Sequence, residues 1–323
     1  MKKLCLCLLL TAALVPARAA WTLTEGTNTG GPGSAVEVKL DGKQIARFVH
    51  GEGQFKPYLH VFGDEGELLT NAGLDDKGKP DGLFPHHRGI YIGWNKITSD
   101  LGTFDLWHFN NGGKMSVAKF DKLDGGKDAA TLVATIEWRG GKKDDAGSDL
   151  LLTETRTLVI SRPDGKRTRV DAKFELKAAR DLTLGGDLQH AGIHFRGAKE
   201  VSTRNKETSY LWQPDLPGPG GKVASTELQW CRLLFPSGEH WYTSTELNAP
   251  GNPVEELSWR DYGRFGFFFK KSLKKDETLR VSYRFLIERV EAPADKPKPS
   301  PEQSKKSRAA AQAAYDAYLK LFK

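Results

Sequence analysis

From Trp21 to about Glu291 the chain is a succession of short stretches in which apolar residues alternate with polar ones or run together, each closed by Gly, Asp, Asn or Lys. Side chains along a strand point alternately to its two faces, so this patterning with turn residues between stretches marks strands joined by tight connections. It predicts strands over residues 35–40, 90–94, 131–138, 150–160, 167–176 and 279–287. Asp41-Gly42 and Asp164-Gly165 fall between such stretches, and both dipeptides suit the left-handed backbone of a hairpin turn. No unit recurs at a fixed spacing, which argues against a propeller or a solenoid. The expected fold class is all-β, a large antiparallel β-sandwich over residues 20–291.

The period then changes. Ser300, Pro301 and Gln303 read as an N-cap, a first-turn proline and a capping partner ahead of an alanine-rich run. Ala311, Ala314 or Tyr315, Tyr318 and Phe322 recur at helical spacing. A C-terminal α-helix over 300–323 is expected, with one apolar face for the sandwich or for a second copy; the oligomeric state stays open. Residues 292–299, with Pro293, Pro297 and Pro299, form the linker that delivers it.

The first nineteen residues belong to neither pattern. Lys2 and Lys3 precede an apolar run that ends at Ala17-Arg18-Ala19, the layout of a signal peptide with its cleavage site. That run is shorter than the roughly 20 apolar residues a spanning helix needs, and no later stretch reaches that length. The chain is therefore expected to be exported, to the periplasm or beyond, with no membrane span. Cys5 and Cys7 leave with residues 1–19, so Cys231 stands alone and no internal disulfide can form. The formal net charge of +7 also redistributes. Lys2, Lys3 and Arg18 go with the leader, the tail beyond Glu291 holds seven Lys or Arg against three acids, and the body between is neutral. A neutral body without a basic stripe argues against a nucleic-acid partner.

Four segments carry candidate chemistry. Phe84-Pro85-His86-His87-Arg88-Gly89 precedes a predicted strand and sets two imidazoles and a guanidinium at a sheet rim. Phe104-Asp105-Leu106-Trp107-His108-Phe109 reads as a strand, which would put Asp105 and Trp107 on one face and His108 on the other, so Asp105 and His108 would not pair. A tryptophan beside an acid suits a sugar, with Trp94 or Trp107 as the stacking floor. In Asp187-Leu188-Gln189-His190-Ala191-Gly192-Ile193-His194, two histidines lie four apart on a predicted strand, too far to share a metal unless Gly192 marks a bulge. A divalent metal assembled across segments, from His87, His108 and His194, is the alternative; no other cofactor is expected. Trp259-Arg260-Asp261-Tyr262-Gly263-Arg264 offers two arginines for an anionic group and an acid to orient them. No phosphate loop, dinucleotide fingerprint, H-E-x-x-H or G-x-S-x-G occurs, which removes most nucleotide-dependent and serine-hydrolase chemistry.

Lys56-Pro57-Tyr58, Pro85 to Gly89, Gly93-Trp94-Asn95, Asp105 to His108, Gly192 to Arg196 and Arg260 to Gly266 together resemble a bacterial family of uncharacterised exported proteins labelled PmoA-like. A particulate methane monooxygenase subunit is an integral membrane protein, whereas no spanning segment is predicted here. What the resemblance implies instead is a sandwich in the style of the galactose-mutarotase supersandwich, and a glycan or other small-molecule ligand. The expected activity is acid/base chemistry on a sugar or glycoside, as in a lyase, epimerase or hydrolase. His86, His87, His108, His190 and His194 are the candidate acids and bases, and Arg88 or Arg264 would stabilise negative charge. Trp94, Asp105, Trp107, Arg260, Asp261, Tyr262 and Arg264 are the candidate substrate contacts. A non-catalytic glycan-binding protein and a metal-dependent sugar lyase or hydrolase are the alternatives.

Overall fold

The computed structural model describes residues 20–323 apart from 52, 55, 76 and 111, so the leader expected over 1–19 lies outside the described residues. Two large antiparallel sheets form a sandwich. The nine-stranded sheet runs, in spatial order, Trp21–Thr27, Ser34–Leu40, Lys43–His50, Tyr58–Val61, Ile90–Trp94, Ala191–Arg196, Arg264–Phe268, Glu256–Arg260 and Lys222–Ala224. The eight-stranded sheet runs Ser209–Gln213, Trp230–Ser237, His240–Asn248, Thr278–Val290, Thr168–Ala178, Leu150–Ser161, Ala129–Arg139 and Lys114–Gly125. A four-stranded sheet of Lys271–Leu273, Leu182–Gly185, Lys96–Ser99 and Gly102–Phe104 completes the β structure. Asp41-Gly42 and Asp164-Gly165 lie in the connections where hairpins were expected.

The core fills the space between the large sheets, where Trp94 meets Trp138 at 5.9 Å and Phe195 meets Phe235 at 6.0 Å. The strand Thr168–Ala178 shows why one face of the eight-stranded sheet lies inward: Val170, Ala172, Phe174 and Leu176 are buried while Lys173, Glu175 and Lys177 face solvent. Three central strands of the other sheet behave differently. Ile90–Trp94, Ala191–Arg196 and Arg264–Phe268 are buried at every residue, so both their faces are covered. One face packs on the core; loops close over the other.

The terminal helix spans Pro301–Leu319 and carries the expected capping box, with Ser300 accepting from the Gln303 backbone N–H. It packs on the outer face of the eight-stranded sheet through Ala311, Tyr315 and Tyr318 against Trp230, Leu247, Ala249 and Leu286. Phe322 does not continue that face: it follows the helix in a 3-10 turn and is exposed. No helix among the described residues is long and apolar enough to cross a membrane.

Candidate functional site

The site is built on the covered face of the nine-stranded sheet. Ile90, Ile92 and Trp94 point into the core, which turns Tyr91 and Gly93 outward; on the neighbouring strands His194 and Gly266 share that outward face. Gly93 and Gly266 have no side chains to spare room for. A Cβ on Gly93 would stand 2.6 Å from the Leu106 carbonyl oxygen, and one on Gly266 would stand 1.9 Å from that of Ile193. The first approach seats the loop 105–109 directly on the strand.

That loop is where the strand expectation fails. The strand stops at Phe104, and Asp105 turns the chain by accepting the backbone N–H of Trp107 at 2.9 Å and of His108 at 2.8 Å. A short side chain that binds backbone two and three residues ahead competes with sheet pairing. The turn brings Asp105 Oδ2 to 2.9 Å from His108 Nδ1, so the two form a pair after all. The same construction recurs at the second segment. Asp187 accepts the Gln189 backbone N–H at 2.9 Å and holds His190 Nδ1 at 2.8 Å. Asp105-Leu106-Trp107-His108 and Asp187-Leu188-Gln189-His190 are two copies of Asp-Leu-x-His, a repeat in the sequence that signals both dyads.

One strand end holds both turns. Leu106 N donates to the Trp94 carbonyl at 3.0 Å, and the next residue, Asn95, donates from its backbone N–H to the His190 carbonyl at 2.9 Å and from its side chain to Asp187 at 2.7 Å. The imidazoles of His108 and His190 therefore lie 4.7 Å apart, and His86 lies 4.6 Å from His108. With Nδ1–H given to a carboxylate, each dyad presents Nε2 as its basic nitrogen.

The electrostatics favour the neutral forms of His86 and His190 and the ionised form of Asp105. Burial holds His86 down to about 3, helped by Lys56, His108 and His190 and opposed by Asp105. Burial also lowers His190, against the pull of Asp187. Burial pushes the Asp105 carboxyl up, but the hydrogen bonds from the His108 side chain and from the His108 and Trp107 backbone outweigh it and hold it below the usual range.

His87 and His194 lie deeper. His87 Nε2 accepts from Trp107 Nε1 at 3.1 Å, while its Nδ1 is buried without a partner. His194 is used on both sides, by the Ala191 carbonyl at 2.9 Å and by Arg264 at 3.1 Å. With both its nitrogens engaged, His194 cannot join His87 and His108 around a metal, and no group of three or more His, Cys, Asp or Glu among the described residues is arranged to hold one. Arg264 is equally committed, to the Gln189 carbonyl, His194 and Ser258, and so braces the second dyad from behind.

Neither tryptophan is a stacking floor. Trp94 is in the main core with Nε1 on the Phe269 carbonyl, because position 94 falls on the inward face of its strand. Trp107 is fully buried, packed on Tyr91 at 5.0 Å and His194 at 4.8 Å. The exposed aromatic at the site is Phe84, 40% accessible, whose ring lies 5.5 Å from His87 and 5.1 Å from Tyr262. Its φ of 55° is left-handed, a conformation that costs a bulky residue free energy and clusters at functional sites. Arg260 and Asp261 turn away from the histidines. Arg260 donates to the carbonyls of Trp259 and Gly221, and Asp261 accepts from Asn205 at 2.8 Å beside a separate groove lined by Tyr210, Trp212 and Trp259.

Lys56 joins the site although a lone lysine before Pro57 carries no spacing signal and the resemblance gives it no role. Its ammonium donates to the Trp107 carbonyl at 3.0 Å and lies 4.1 Å from the Tyr91 ring centroid. Burial, then Arg88, depress its pKa well below the ordinary lysine value, against the pull of Asp105. Arg88 donates from Nε to the Pro85 carbonyl at 3.0 Å and from Nη1 to Gln54 at 2.5 Å. Both border a small cavity of about 100 Å³ that His86, His108, Phe109, Pro80 and Pro85 complete.

No curated protein matches the sequence. Among solved structures, a heparan sulfate lyase HepC mutant from Pedobacter heparinus aligns over 85% of this chain at 12% identity and TM-score 0.37, and the chain spans only 36% of that protein. A GalM/aldose epimerase homologue from C. elegans aligns over 84% of this chain and 100% of its own, at 8% identity and TM-score 0.36. The family model that matches covers residues 35–297, most of the sandwich and all four candidate segments, and the chain accordingly belongs to DUF6807, a family of unknown function.

Proposed function

We propose that the protein is an exported enzyme that performs acid/base chemistry on a sugar or glycoside, with His108 and His190 as the proton-transferring groups. The observation that carries this reading is the pair of Asp–His dyads held with their imidazoles 4.7 Å apart. A carboxylate on Nδ1 orients an imidazole and raises the basicity of Nε2, and a positioned imidazole near neutral pH contributes about 10²–10⁴-fold to a proton-transfer step. His86 adjoins both roles, His87 positions Trp107, and Phe84 supplies an accessible ring face for the apolar side of a sugar. The buried Trp94 and Trp107 offer no aromatic strip beside the histidines; the partly exposed Tyr210, Trp212 and Trp259 line a separate groove. Methane oxidation, which the PmoA-like label names, is not part of the proposal.

The test is a panel of glycosides and oxidised sugars offered to the purified mature protein beside His108→Gln and His190→Gln. Turnover should fall by about 10²-fold or more in each variant. Turnover that persists in both would overturn the assignment. The chemistry draws on imidazole and ammonium groups alone, so a stoichiometric metal found by elemental analysis would overturn that part. Export predicts a mature chain beginning at Ala20, checked by its intact mass after secretion.

A further inference from the structure

Two cations border the 100 Å³ cavity, Lys56 at 4% exposure and Arg88 at 6%. Among the described residues no carboxylate lines it and neither cation forms an ion pair. Asp105, which acts on Lys56 through space, is bound to His108. Buried charges are ordinarily paired, because desolvation costs several kcal/mol that only an opposite charge or a full set of hydrogen bonds offsets. Lys56 has one carbonyl and the faces of Tyr91, Trp107 and Phe109; Arg88 has a carbonyl and an amide oxygen. Two basic side chains beside an opening form a receptor for an anion, whose charge would favour the protonated form of Lys56.

Size narrows the anion. At about 100 Å³ the cavity is small and suits a compact anion such as a carboxylate better than a whole sugar ring. The ring must then lie outside, at the mouth, where the imidazoles of His86 and His108 border the same opening.

We propose that the substrate is a uronic sugar whose carboxylate enters this cavity between Lys56 and Arg88, which sets the carbon bearing that carboxylate against the dyad imidazole of His108. The inference rests on the acid/base reading of the dyads and adds the substrate class. Hydrogen on a carbon next to a carboxylate becomes acidic only if the charge that develops on the carboxylate is offset. His108 Nε2 takes that proton, the electron pair of the C–H bond passes into the carboxylate to give an enediolate, and Lys56 and Arg88 meet the added negative charge. Return of the proton from His108 closes the cycle.

The probes are methyl glycosides of glucuronic and galacturonic acid, the matching neutral glucosides and galactosides, and inorganic sulfate, titrated calorimetrically into the full mature chain. At least one uronoside should bind about tenfold or more tighter than its neutral counterpart, and Lys56→Met and Arg88→Gln should each weaken it by about tenfold. In deuterated water the bound uronoside should exchange the hydrogen next to its carboxylate, and His108→Gln should stop the exchange. Lys56→Met should unfold at a temperature no lower than the parent, which separates lost affinity from lost folding. Equal binding of charged and neutral glycosides, affinity untouched by Lys56→Met, no binding by any probe, or sulfate binding alone would each overturn the uronate assignment. Histidine-dependent turnover of a neutral glycoside would overturn it while leaving the dyad chemistry standing.

Discussion

Two buried charged arrangements lie on either side of Pro57, and they are opposites. In the interior of the sandwich Arg156 Nε meets Glu154 Oε1 at 2.5 Å, Arg156 Nη1 reaches the Pro57 carbonyl at 2.9 Å, and Trp138 Nε1 takes the other carboxylate oxygen at 2.7 Å. Every charge there has its counterpart. One residue earlier in the chain, Lys56 faces Arg88 across a cavity with carbonyls, an amide and aromatic rings for company. A closed pair specifies structure, whereas an open pair of like sign is tolerated because the fold leaves room for something else to complete it.

The largest effect should come from breaking the closed pair. Arg156→Met strands Glu154 in the core and should lower stability by about 3–5 kcal/mol in denaturant unfolding; a loss under about 1 kcal/mol would erase the contrast. Acid should act next, through the buried imidazoles. Burial holds His60 and His86 down to about 3 in the fold, whereas in the unfolded chain they titrate at 6.5. Neutral in the fold and protonated when unfolded, they contribute stability that is full above pH 6.5 and is lost as pH falls towards about 3. A melting temperature that stays flat across that window would contradict the burial.

Glu246 sharpens the comparison from a third side. Its carboxyl lies in the core with both oxygens unpartnered, and burial pushes its pKa well above the ordinary value. The proton it keeps in the fold makes stability highest below the unfolded value of 4.5 and lower as pH rises. Glu246→Gln should therefore gain stability at neutral pH and gain none in acid; an equal gain at both would mean the carboxyl is not protonated. The smallest expected change belongs to Lys56→Met, whose stability should match or exceed the parent's, since it removes a buried charge that no acid repays. A loss comparable to that of Arg156→Met would make Lys56 a structural residue.

The sandwich was legible because burial and strand geometry share a period of two. Alternation located strands such as Ala129–Arg139, and the two Asp-Gly dipeptides located turns. The same rule misled at Asp105. Imposed on a segment whose strand had already ended, it separated the acid from the histidine three positions on; the hydrogen bonds that join them belong to a turn, where period two has no meaning. Trp94 failed for a related reason. Alternation shows that a residue faces one side of a sheet, not which side holds the core, and Trp94 took the inner one. Lys56 could not be found by spacing at all, because its partners come from strands and loops remote in sequence.

The attachment of both Asp-Leu-x-His turns to Trp94 and Asn95 has an engineering consequence. The gap between the two imidazoles is gauged by one peptide unit, not by the loops that lead to it. Insertions in the long excursion through the eight-stranded sheet, between the first turn and the second, should leave that gauge untouched. A single residue inserted between Trp94 and Asn95 would throw the two histidines out of step while leaving each dyad intact. The protein thus offers a scaffold in which the two histidines are indexed to one another by a strand end, independently of the loops that surround them.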